Sequence, residues 1–111
     1  MKVACIQLSS GENYNKNFKQ IILYLNQAIK NKSDLIITPE TSSIITSDKK
    51  ILFKNTYSMH KDPLIKEIKK ISKKNRKWIL IGSLPIKDKN KYLFQNKVAY
   101  SYKTIIACLW Q

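Results

Sequence analysis

The sequence predicts an α/β fold, and three observations carry that prediction. Three short apolar runs, residues 3–8 (VACIQL), 35–38 (LIIT) and 78–84 (WILIGSL), are nearly continuous, as strands of a buried parallel sheet are. The two segments between them carry apolar residues at helical spacing. The order strand, helix, strand, helix, strand then closes through right-handed crossovers into a parallel unit with both helices on one side of the sheet.

Each element has its own warrant. The first, second and third runs lack the polar alternation of a half-exposed strand, so they predict strands buried on both faces. Phe18, Ile21, Ile22, Leu25, Ala28 and Ile29 make one face of a first helix. Leu64, Ile65, Ile68 and Ile71, with lysines between them, make the face of a second. Asp62-Pro63 just ahead is an N-cap residue followed by a first-turn proline. In the last quarter, residues 92–102 and 104–110 read as two further strands paired antiparallel, joined at Tyr102-Lys103-Thr104 without the Gly or Asn that a tight hairpin prefers.

Composition narrows the class. A chain of 111 residues suits one domain, and 43% apolar residues with only two glycines excludes disordered, collagen-like and low-complexity proteins. No apolar stretch approaches the roughly 20 residues that span a bilayer, and the opening MKVACIQLSSGEN has no secretory pattern. The expectation is a soluble, cytoplasmic protein with no membrane partner. Cys5 and Cys108 lie inside apolar runs, as buried, reduced thiols do, and the lone His60 has no neighbouring ligand, so neither a metal nor another cofactor is expected.

The net charge of +14 suggests a polyanion partner through counterion release. All but Arg76 of the 21 basic residues are lysines, however, and they are scattered. Arginine is the usual residue for bidentate phosphate and base contacts. Joint enrichment in Lys, Ile and Asn also fits the codons of an AT-rich genome. Solvated lysine faces without specific nucleic-acid recognition are therefore expected, and a small Lys-rich protein binding nucleic acid or an anionic surface is the alternative function.

The run DLIITPETSS raises the functional question, because Glu40 follows Pro39 at the exit of the second strand in a chain with seven acids. Ligand sites of open α/β sheets form beyond the carboxyl ends of their strands. Three roles compete for Glu40. It can be a solvated loop acid or a helix-start charge ahead of Thr41-Ser42-Ser43. It can be a ribose-binding acid, although the first strand-to-helix turn, LSSGENYN, lacks the glycines that admit a pyrophosphate. Or it can be a general base, which requires a partly dry pocket beside a nucleophile.

The segments VACIQLSSG, Asn17 in NKNF, LIITPE, WILIGSLPI and Asn96-Lys97 follow one another as in the carbon-nitrogen hydrolases, the nitrilase superfamily, which this sequence resembles. The likeness is greatest to the bacterial amidase branch related to deaminated glutathione amidase. It implies that residues 1–111 are the N-terminal part of an α-β-β-α sandwich, here incomplete, acting on a non-peptide C–N bond of a small linear amide. It also implies a Glu-Lys-Cys triad in which Glu40 is the base, while Gly82 and Ser83 are structural, the glycine admitting a close backbone approach.

The resemblance has a gap. In the same alignment Gln111 falls on the family's catalytic Lys, and the nucleophilic Cys lies beyond it, so the chain is expected to be inactive alone and to need a complementing downstream fragment. A homo-oligomer is the other partner the family suggests. Cys108 sits at the distance of the Lys segment rather than the Cys, which makes it a buried strand thiol rather than the nucleophile.

Overall fold

The structure, a computed structural model, describes residues 1–40 and 42–87 and the backbone of the short strands 93–94, 97–98 and 100–103. Helix α1 (Tyr14–Lys30) starts where the side chain of Asn13 accepts a hydrogen bond from the Lys16 amide, and it buries Tyr14, Asn17, Ile21, Leu25 and Ala28. Helix α2 (Lys49–Lys54) is capped by Asp48, which accepts from the amides of Lys50 and Ile51. Helix α3 (Pro63–Asn75) starts at Asp62 and ends at Arg76, whose left-handed φ of 53° stops it. The cap and proline expected at Asp62-Pro63 are thus in place.

Strands β1 (Val3–Cys5), β2 (Leu35–Thr38) and β3 (Trp78–Ile81) form one parallel sheet in the order β1-β2-β3. Ala4, Ile36 and Ile79 stand side by side, flanked by the rows Val3, Leu35, Trp78 and Cys5, Ile37, Leu80. Alternate residues face opposite ways, so Ile36, Ile79 and Ile81 join Ile21, Leu25, Ala28, Leu64, Ile65, Ile68 and Ile71 in one core. With α1 and α3 also packed together, both helices lie on that one side, as predicted.

Four expectations are corrected. The strands are not buried on both faces: Val3 and Trp78 are 44% and 38% exposed, Cys5 is exposed, and Leu35, Ile37 and Leu80 are half-buried. Cys5 is therefore no core thiol, because it lies on the face opposite the helices. The third run is not one strand either; it breaks at Gly82-Ser83, and the chain resumes as β4 (Leu84–Lys87). Nor is 92–102 one strand. It contains β5 (Leu93–Phe94) and β6 (Lys97–Val98), which pair antiparallel, and β7 (Tyr100–Lys103), which pairs antiparallel with β4. The strand expected at 104–110, with Cys108, lies outside the described residues.

Candidate active site

Glu40 follows β2 at its carboxyl end, exposed, immediately after Pro39. The helix-start role is removed, since α2 begins only at Lys49 and has its own cap in Asp48. What distinguishes the position is the backbone around it. The Gly82 amide donates to the Thr38 carbonyl at 3.1 Å, continuing the β2–β3 ladder one residue beyond the strands. A Cβ on residue 82 would lie 2.6 Å from the Pro39 carbonyl carbon, 2.7 Å from its oxygen and 2.8 Å from the Glu40 nitrogen. Only glycine fits against that peptide.

The segment after Glu40 is held as tightly. The Ser42 amide donates to the Ser83 carbonyl at 3.3 Å, and the Ser42 hydroxyl lies within hydrogen-bond reach of the Pro39 carbonyl and, at 3.2 Å, of Thr38 Oγ1. The Ser10 hydroxyl donates to the Ser42 carbonyl at 2.9 Å. The side-chain amide of Asn17 donates to the carbonyls of Gly11 and Ser43, and its oxygen accepts from the Gly11 amide at 3.1 Å. The Ile45 amide then donates to the Gly11 carbonyl. Asn17, Thr38, Ser42 and Ser43 are all buried, so these polar groups exchange water for one another and tie the β1–α1 loop to the chain leaving β2.

A second buried polar group caps α3. Asp62 Oδ1 accepts from the Leu64 and Ile65 amides at 2.8 and 3.1 Å, while burial pushes its carboxyl above the usual carboxylate range against the pull of those bonds. Burial, with Asp62 and Tyr57 nearby, also raises the Tyr14 hydroxyl, against the opposing pull of the Leu64 backbone. An open cleft of about 480 Å³ lies between the start of α1, with Tyr14 in its first turn and Glu12 just ahead of the helix, and Ile51 and Lys54 of α2; Glu40 does not line it. Among the described residues no group of His, Cys, Asp and Glu has a metal-holding arrangement, and no helix is long and apolar enough to cross a membrane.

Parallel βα units with an acid fixed at a strand's carboxyl end define an α/β class with its candidate site at the sheet's rim. The family description "Carbon-nitrogen hydrolase" matches residues 2–107, and the chain belongs to that family. It is 33% identical to the deaminated glutathione amidase of Yersinia enterocolitica over 76% of this chain, spanning 29% of that relative's length. The crystal structure of the C. elegans NitFhit protein shares the fold, with a TM-score of 0.69 and 23% identity over 78% of this chain and 21% of that one. Sequence reasoning placed Glu40 at a strand exit, and it noted the close approach at Gly82 through the family resemblance. It missed Ser10, Thr38, Ser42 and Ser43, whose partners are far away in sequence, and it noted Asn17 only through the family resemblance.

Proposed function

We propose that the chain supplies the general base of an amidase-type carbon-nitrogen hydrolase acting on a small linear amide, and that it does not turn over alone. The observation that carries this reading is the place of Glu40, directly after Pro39 at the carboxyl end of β2 on a backbone held by Gly82 and Ser42, in a chain of this family. The kinship with a deaminated glutathione amidase supports an amide as the substrate class.

In this chemistry the Glu40 carboxylate takes the proton of a cysteine thiol, and the thiolate forms a C–S bond to the amide carbonyl carbon. A lysine ammonium steadies the resulting oxyanion. The C–N bond breaks as Glu40 passes the proton to the leaving amine, and water then cleaves the thioester to an acid and free thiol. The thiol and the lysine are the other two members of the triad that the family resemblance implies. The protein acts in the cytoplasm, without a specific nucleic-acid or membrane partner.

The test is ammonia release from a panel of ω-amides, by the 111 residues alone and by the same chain joined to segments carrying the Lys and Cys of a carbon-nitrogen hydrolase. Activity only in the joined protein is expected. Turnover by the 111 residues alone that vanishes on Cys108→Ser would overturn the reading.

A further inference from the structure

We infer that Gly82 and Ser42 are positioning residues for Glu40, jointly setting the plane of the Pro39–Glu40 peptide and with it the direction in which the carboxylate leaves the sheet. The inference rests on the proposed role of Glu40 as base, yet its geometry stands apart from that role.

Three features converge on this single peptide. Pro39 fixes its own φ, which leaves fewer ways for the chain to leave β2. Gly82 then presents bare backbone to the peptide, with the Pro39 carbonyl carbon, the Pro39 oxygen and the Glu40 nitrogen all under 3.0 Å from where a side chain would begin. These are backbone atoms, so none of them can rotate out of the way. Ser42 closes the arrangement, its hydroxyl meeting the Pro39 carbonyl and its amide bonded to Ser83, the neighbour of Gly82. The chain on both sides of Glu40 is thus tied to residues 82–83, whereas the Glu40 side chain stands exposed. A base carried on a fixed backbone suits general-base catalysis, because a misplacement of about 1 Å can lower a rate on the order of 10²-fold. The break between β3 and β4 falls at these same two residues, Gly82-Ser83.

The test uses the 111-residue chain labelled with ¹³C and ¹⁵N, reading the Glu40 amide and side-chain carboxyl resonances in Gly82→Ala, Ser42→Ala and Gly11→Ala. A Cβ at Gly11 meets nothing within 4 Å, which makes that variant the control. The expected result is that Gly82→Ala and Ser42→Ala each shift both Glu40 resonances, while Gly11→Ala leaves them in place and the methyl signals of Ile21, Leu25 and Ile68 stay native in all three. If Gly82→Ala fails to fold, Ser42→Ala decides. A folded variant with native Glu40 resonances overturns the inference, whereas loss of amidase activity in Glu40→Gln depends on the base role and not on this placement.

Discussion

The side-chain amide of Asn17, in the first turn of α1, donates at 3.0 Å to the carbonyl of Ser43, three residues beyond Glu40. Both residues are buried, so the bond replaces water that neither group can otherwise reach. Asn17→Ala would leave the Ser43 carbonyl and the Gly11 amide without this partner. Each buried group left unmatched costs about 1–3 kcal/mol. We expect a fall in stability of at least that size by urea denaturation, and an unchanged midpoint would remove Asn17 from the account.

Asp62 gives the stability a particular dependence on pH. Burial raises its folded-state pKa, so its contribution is fully present below the ordinary carboxylate value of about 3.9 and is lost as pH rises through the raised one. Asp34 acts in the opposite sense. Its carboxyl, lowered first by the hydrogen bond from the Lys2 amide, favours the fold above the ordinary value and stops doing so as pH falls. Asn caps a helix about as well as Asp, so Asp62→Asn should hold or raise stability at neutral pH and flatten the loss on the alkaline side of the carboxylate range. Asp62→Ala, which removes the cap, should lower stability by about 1–2 kcal/mol. Thermal melts across pH 3 to 8 check both variants.

Lys66, Lys69, Lys70, Lys73 and Lys74 all lie exposed on the outer face of α3, opposite its buried isoleucines. Lys69 has like charges three residues before it and four after. Lys69→Glu turns both pairs attractive and should stabilise the chain by about 1 kcal/mol at low ionic strength. In 1 M salt, where screening acts within about 3 Å, the gain should nearly vanish. The same face should hold DNA weakly and without sequence preference, the retention falling steeply between low and moderate salt.

The legible part of this fold was the part written in local spacing. Helices α1 and α3 announced themselves through 3.6-residue periodicity and, for α3, through Asp62-Pro63. Helix α2 did not, because none of its residues is buried and KKILFK presents no packed face. The break at Gly82 was hidden inside a continuous apolar run, and the backbone packed against it, at Pro39 and Glu40, lies far upstream in sequence. Cys5 was misread for a related reason. An apolar run reveals a strand's preference for burial, but not whether anything covers both of its faces. The placement of Glu40 at a strand exit was legible from Pro39 and the apolar run before it, and its role as a base only from the family resemblance; the serines and Thr38 around it were not legible, because hydrogen bonds between distant loops leave no periodic trace.

The face of the sheet opposite the helices predicts association. Val3, Cys5 and Trp78 are exposed there beside half-buried Leu35, Ile37 and Leu80. A contiguous apolar surface of this kind seeks a partner, and here a second copy of the chain is available at high concentration. Sedimentation velocity should show a mass that rises with protein concentration, and Ile37→Lys, at the centre of the face, should return the chain toward monomer. A concentration-independent monomer would contradict this.

The most direct test of the central claim is the turnover of the joined protein, with and without the Glu40 carboxylate. Glu40→Gln keeps the size of the side chain and removes the proton acceptor. A positioned general base contributes about 10²–10⁴-fold, so kcat for ammonia release should fall by that factor with KM and the urea midpoint unchanged. A Glu40→Gln protein that releases ammonia at the parent rate would contradict the account, because the carboxylate after β2 would then not be the base.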